Sequence, residues 1–235
     1  FAHIPLILNT DGSKMSKRDA GAGLQWYEDE GFLPEAVSNY LALLGWSPKD
    51  DREILSADEI TNLFDFDHLN RSNARFDLEK CRWLNGQYIA ALPPAQFLHL
   101  AIPFAAGAPE SAIALTQPRI QTFTEINQWL APILDDEFPM ERASLSKVLE
   151  MQKNASTLLS LNQQLGQVPN WNEEQIKLAI NQTAEKFGVK PGKLMLPLRV
   201  TTTGTAQGTD LMPTLEIIGK ETTVARMRRR IAMLF

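Results

Sequence analysis

Prolines and glycines cut this chain into helix-length pieces, and within each piece apolar residues recur at three- and four-residue spacing. That pattern commits the chain to a mainly α fold. Residues 34–46 are the clearest case, with proline in the first turn, Val37, Tyr40, Leu41 and Leu44 on one face, and Gly45 as terminator. Ser56 and Glu59 form a capping box ahead of Ile60, and Asp77 is placed to cap a helix over 78–84. Pro93-Pro94 breaks one helix and opens the next at Ala95. The spacing predicts further helices over 97–104, 119–134, 143–165, 173–187 (capped by Asn172, ended by Gly188), 212–218 and 221–234. A Thr/Gly-rich loop is expected over 201–209. The one strand pattern is an apolar run over 3–8, which reads as buried. With Pro139 as a second boundary, the expected parts are residues 1–92, 93–139 and 140–235.

Between that strand and the first helices lies Ser13-Lys14-Met15-Ser16-Lys17-Arg18, entered through the turn signal Asn9-Thr10-Asp11-Gly12. Lysine is a compact point charge on a flexible stem, suited to following a phosphate whose charge migrates. Two lysines three apart on a polar loop therefore suit the clamping of a triphosphate. Gly12, Gly21 and Gly23 flank the loop as permissive hinges or simple turns, and Arg18 and Asp19 are expected to pair.

Several tracts together resemble bacterial glutamyl-tRNA synthetases, which are class I aminoacyl-tRNA synthetases. They are Phe1-Ala2-His3-Ile4-Pro5-Leu6-Ile7-Leu8, the Ser13 to Asp19 loop, Asn39-Tyr40-Leu41-Ala42-Leu43-Leu44-Gly45-Trp46-Ser47, Trp83-Leu84-Asn85-Gly86-Gln87-Tyr88, Pro197-Leu198-Arg199-Val200 and Gly219-Lys220-Glu221. The resemblance spans nearly the whole chain and is weakest over 105–169. It departs from the family after the loop, where Arg18-Asp19-Ala20-Gly21 stands in place of Arg-Asp-Gly, so hinge detail does not transfer.

The resemblance implies a stem-contact domain with the lysine loop (1–92), followed by an all-helical anticodon-binding bundle in two subdomains. The Rossmann-like catalytic domain, with its His-Ile-Gly-His type of motif, has no counterpart here: the histidines are His3, His68 and His99. Starting at Phe1 without an initiator methionine, the chain is expected to be the C-terminal half of a larger enzyme, inactive alone. By resemblance Lys17 is the ATP-phosphate lysine and Lys14 supports loop closure. Met15 and Ser16 shape the loop near the adenine, and Arg18 completes the ATP-binding set. Arg119, Arg199 and Leu211 match anticodon-side positions, Arg119 having a surface charge as its plainer reading. The substrates implied are ATP with Mg²⁺, L-glutamate, and tRNA-Glu with tRNA-Gln as a further candidate. A non-catalytic tRNA-binding module and a class I lysyl-tRNA synthetase fragment are the alternatives.

A net charge of −5 argues mildly against nucleic acid, but Lys220, Arg226, Arg228, Arg229 and Arg230 crowd the last helix, as a local basic track or a solvated face. Trp83 and Tyr88 read as core rather than as stacking platforms. One cysteine, Cys81, suits a reducing cytosol and reads as a buried apolar residue. No metal-ligand spacing and no membrane-length apolar run is present in the sequence; with the resemblance, a cytoplasmic monomer is expected.

Overall fold

The computed structural model describes residues 5–48, 50–144 and 155–234. Helices dominate it, as the periodicity requires, and the chain divides into two compact units. The first holds residues 5–104 with 120–126; the second holds 105–119 with 127–234.

In the first unit, strand β1 (Ile7–Leu8) pairs in parallel with β2 (Ala74–Arg75), Ile7 opposite Ala74. The expected buried strand over 3–8 is corrected on two counts. Its regular part among the described residues is two residues long, and Leu6 (49% exposed) and Ile7 (37%) are open to solvent. A two-stranded sheet offers no second layer to cover an apolar run on both faces. Positions 1–4 lie outside the described residues.

Helices α1 (Leu24–Asp29), α2 (Pro34–Gly45), α3 (Ala57–Leu63), α4 (Leu78–Ala91) and α5 (Pro94–Ala101) complete the unit. The local signals act where expected. Pro34 opens α2, the Ser56–Glu59 box forms in both directions, and Asp77 accepts from the Lys80 amide at 3.0 Å. The core gathers Tyr27, Phe32, Val37, Tyr40, Phe76, Cys81 and Leu84. Tyr40 stands edge-on to Phe76, and its hydroxyl donates to the Asp77 carbonyl (2.8 Å) while accepting from the Asp77 amide (2.7 Å). Burial pushes the Cys81 thiol up to about 12, so it is an inert core residue. Trp83 corrects the sequence reading: it is 39% exposed on α4, whereas Tyr88 is half-buried with its hydroxyl on the Leu55 carbonyl at 2.7 Å.

The second unit contains α6 (Glu110–Ala114), most of α7 (Ile126–Leu134), α8 (Ala155–Gln167), α9 (Glu173–Lys186), α10 (Gly192–Thr203), α11 (Leu211–Ile218) and α12 (Lys220–Leu234). Its core is aliphatic, with Leu161, Leu165, Ile176, Leu198, Leu215 and Met227 at the centre. The helix expected from Arg119 begins only at Ile126, after a short 3₁₀ turn (Phe123–Glu125). Thr122 is extended, and the Glu125 carboxylate accepts from the Gln121 amide at 2.8 Å, which holds residues 119–122 out of the helix. Of the helix expected over 143–165, residues 143–144 and those from 155 onward are helical, and positions 145–154 lie outside the described residues.

The threonine-rich loop also starts later than expected, because α10 continues through Thr203. The hydroxyls of Thr201, Thr202 and Thr203 donate back to the carbonyls of Pro197 (2.7 Å), Leu198 (2.8 Å) and Arg199 (2.9 Å), which lets three polar side chains be buried. Gly204 then ends the helix in the left-handed region (φ +80°), where a Cβ would lie 2.7 Å from the Pro139 carbonyl oxygen.

The arginines of α12 fit neither the basic-track nor the solvated-face reading. Arg226 and Arg230 are each 3% exposed. Arg226 donates to the carbonyls of Pro132 (2.9 Å) and Ile133 (3.1 Å) and to the Asp136 carboxylate (2.7 Å), and Arg230 donates to the Phe138 carbonyl (2.6 Å). Arg229 adds the Glu137 carboxylate at 2.8 Å. The last carbonyls of a helix have no partner within it, and here another helix's guanidinium groups supply one. Only Arg228 of the four keeps an exposed side chain without a partner among the described residues.

Candidate ATP-loop and anticodon sites

The lysine loop begins on the return arm of a short hairpin in the first unit, whose tip is the turn from Asn9 to Ser13. The Asn9 amide donates to the Ser13 carbonyl (2.8 Å) and the Met15 amide to the Ile7 carbonyl (3.1 Å), so Lys14 lies antiparallel to Leu8. On the other side of β1 the Phe76 amide donates to the Leu8 carbonyl at 2.8 Å. Asp11 closes the turn by accepting from the Ser13 amide (2.8 Å) and hydroxyl (2.7 Å), and Gly12 supplies the positive φ of +87°.

Asp19 sets the loop beyond Met15. Its Oδ2 accepts from the Ser16 amide (2.7 Å) and from Asn9 Nδ2 (3.0 Å), not from Arg18, which corrects the expected Arg18–Asp19 pair. A carboxylate near N–H donors is stabilised in its charged form. The Ser16 amide, then Asn9, accordingly hold the Asp19 carboxyl below its ordinary range, and the hydroxyl and amide of Ser13 do the same for Asp11. Both carboxylates are therefore occupied locally. Lys14, Lys17 and Arg18 are exposed and have no carboxylate partner among the described residues.

Below the loop lies a groove of about 380 Å³, its walls including Met15, Lys17, Gly21, Tyr27, Leu44 and Phe76. Of the flanking glycines, Gly21 is the constrained one. It has φ +79°, and a Cβ would come within 2.3 Å of the Phe76 ring, whereas Gly23 has an extended backbone and open space. Gly21→Ala should therefore cost about 2 kcal/mol through backbone strain and overpacking. Urea denaturation measures this; a loss under about 0.5 kcal/mol would show that the Phe76 ring gives way freely.

The second unit holds a cavity of about 440 Å³ between the end of α7 and the segment 203–209. Arg199 of α10 lines it and donates from Nη1 to the Thr209 carbonyl at 2.8 Å. Its guanidinium lies against Gly208, where a Cβ would be 2.6 Å from Nη1. Burial first, and then the neighbouring positive charge of Arg119, push Arg199 below the usual arginine value. Arg119 does not line the cavity. Arg119 is exposed in the turn after α6, its amide on the Thr116 carbonyl at 2.8 Å. Leu211 is placed differently: it opens α11 and is 3% exposed in the aliphatic core.

Three cavity residues escape sequence reading. Glu141 Oε2 accepts from Ser144 Oγ (2.9 Å) and Thr205 Oγ1 (3.1 Å), Gln207 sits in the loop, and Trp129 has a buried indole N–H without a partner in the described residues. A buried donor left unpaired costs about 1–3 kcal/mol, so Trp129 marks a place in the fold not optimised for packing alone. No sequence signal could have grouped Glu141 with Thr205, which lie 64 residues apart.

Residues 89–231 match the family model described as anticodon binding domain, and residues 1–83 match that for tRNA synthetases class I (E and Q), catalytic domain. The glutamate–tRNA ligase of Akkermansia muciniphila is 46% identical, the alignment covering 97% of this chain and 53% of that protein. That of Methylacidiphilum infernorum is 36% identical with the same coverage. A crystal structure of a glutamate tRNA ligase from Elizabethkingia meningosepticum, in complex with its amino acid, superposes with a TM-score of 0.82 at 30% identity, covering 100% of this chain and 52% of that one. The chain spans about half the length of the curated relatives it matches.

Proposed function

Because this chain belongs to the anticodon binding domain family, with a class I synthetase segment ahead of that domain, we propose that it is the C-terminal part of a glutamate–tRNA ligase. In that reading the glutamate carboxylate attacks the α-phosphate of ATP, pyrophosphate leaves, and a ribose hydroxyl of the terminal adenosine of tRNA-Glu then takes the activated carbonyl as AMP leaves. Negative charge grows on the leaving pyrophosphate, and fixed cations there lower the barrier. The observation that carries the reading is the hairpin arm and following loop with three cations, Lys14, Lys17 and Arg18, whose nearby carboxylates are already engaged by N–H and O–H donors.

Lys17 takes the phosphates, Lys14 supports closure, Met15 and Ser16 border the adenine, and Arg18 flanks them. Mg²⁺ arrives with ATP; among the described residues no cluster of three or more His, Cys, Asp or Glu side chains is placed to hold a metal. Residues 1–92 act as the stem-contact part, and 93–139 and 140–235 as the two anticodon-binding subdomains. Arg119 and Arg199 meet the anticodon. Leu211, buried at the start of α11, backs the loop beside Arg199.

Purified chain should bind tRNA-Glu saturably, and the affinity should fall about tenfold between roughly 50 and 200 mM salt. The salt dependence is modest because Arg226, Arg229 and Arg230 are bonded within the chain and few phosphates are left to be neutralised. Filter binding across that salt range is the measurement, and absence of saturable binding would overturn the reading.

A further inference from the structure

The two lysines of the loop are held by different means. Lys14 lies on the return arm of the hairpin, where it faces Leu8 across an antiparallel bridge and the next amide, that of Met15, donates to the Ile7 carbonyl at 3.1 Å. Lys17 lies beyond that ladder. The stretch that carries it is anchored before by Met15, packed against the aromatic core, and after by Gly21, where a Cβ would strike the Phe76 ring. Between those anchors Asp19 organises the chain. Its amide donates to the Ser16 carbonyl (3.1 Å), and its carbonyl accepts from the Ala22 amide (3.1 Å). Its Oδ2 accepts from the Ser16 amide (2.7 Å) and from Asn9 Nδ2 (3.0 Å), and Asn9 Nδ2 also donates to Ser13 Oγ (3.1 Å) inside the hairpin turn. Among the described residues, the Asn9–Asp19 bond is the one side-chain bridge between the turn 9–13 and the stretch 16–20.

We propose that Asp19 is a positioning residue: through Ser16 and Asn9 it staples the stretch bearing Lys17 to the hairpin bearing Lys14, so that the two ammonium groups meet a triphosphate at a fixed spacing. The proposal rests on the ATP-binding reading of this loop and deepens it. A cation already placed where negative charge develops need not be reorganised during the reaction. Displacing such a group by about 1 Å can cost roughly 100-fold in rate.

Pyrophosphate exchange in the full-length protein is measured for wild type, Asp19→Ala, Asp19→Asn, Asn9→Ala and the Asn9→Ala/Asp19→Ala double variant, with kcat separated from the KM for ATP and Lys17→Ala as the control. Asp19→Ala should lower kcat about 100-fold and leave KM within about twofold, the pattern of an interaction that matters only in the transition state. Asp19→Asn keeps an oxygen for Ser16 and Asn9 and should recover most of that loss. Asn9→Ala leaves the Ser16 bond in place, so it tests the bridge even should Asp19→Ala fail to fold. It should lower kcat about tenfold and add little to Asp19→Ala, as one coupled network requires. Unchanged kcat in Asn9→Ala and Asp19→Ala would leave Asp19 a plain turn residue, and a raised KM alone would place it in ATP binding. Asp19→Asn as slow as Asp19→Ala would mean that the charge matters and the bonds do not. Each of these overturns the proposal. If Lys17→Ala leaves exchange unchanged, the function proposed above fails first and this positioning role falls with it.

Discussion

Arg226→Met should lower the unfolding free energy by about 3 kcal/mol, since it strands buried carbonyls that cost roughly 1–3 kcal/mol each when left unpaired. The methionine fills much of the volume but donates nothing to the carbonyls of Pro132 and Ile133, and Asp136 loses its partner. Arg226→Lys should recover part of the loss, because an ammonium restores the charge but not the planar fork that serves several acceptors together. Urea denaturation reads both variants; an unchanged slope with a lower midpoint assigns the change to native stability. A loss under about 1 kcal/mol for the methionine variant would mean that water reaches those carbonyls and that the arginine is dispensable.

On the proposed function, Lys17→Ala should slow adenylate formation by about two to three orders of magnitude in the full-length protein, the range found when one preorganised charge-stabilising group is lost. Affinity for tRNA should stay within about twofold, because one exposed lysine contributes at most one phosphate contact. Pyrophosphate exchange measures the first quantity and filter binding the second. Stability should not change, as Lys17 is exposed and lacks an ion pair among the described residues. Equal exchange rates in the variant and wild type would remove Lys17 from the phosphate site, whatever the tRNA affinity.

Local chemistry made much of this architecture readable. Ser56 with Glu59, Asp77, Asn172 and Pro34 each act within three or four residues, so sequence spacing alone placed those helix starts. The turn from Asn9 to Gly12 was readable for the same reason, but the pairing of Lys14 with Leu8 beyond it was not. Thr201, Thr202 and Thr203 misled because a threonine hydroxyl can serve a loop or bond back onto its own helix, and burial decides between them. The late start of α7 did have a signal in the sequence, Thr122 followed three residues later by Glu125, although the Thr122 hydroxyl makes no cap bond and Glu125 accepts from the Gln121 amide instead. Arg226 could not be read at all, since its partner Asp136 lies 90 residues away. Glu141 was hidden likewise: the residues proposed for the anticodon side came from resemblance, which supplied Arg119, Arg199 and the buried Leu211 but not the carboxylate in the cavity wall that Arg199 lines.

The loop that follows Gly204 is fastened at both ends. Near its start Glu141 and Ser144 hold Thr205 and the Ala206 amide (2.8 Å), and at its end Arg199 holds the Thr209 carbonyl. Ordering a free segment would tax association by roughly 0.5–1.5 kcal/mol for each immobilised side chain, and a segment already tied down avoids that charge. Encounter with RNA should then proceed as docking to a preformed wall, with one kinetic phase whose rate rises linearly with RNA concentration.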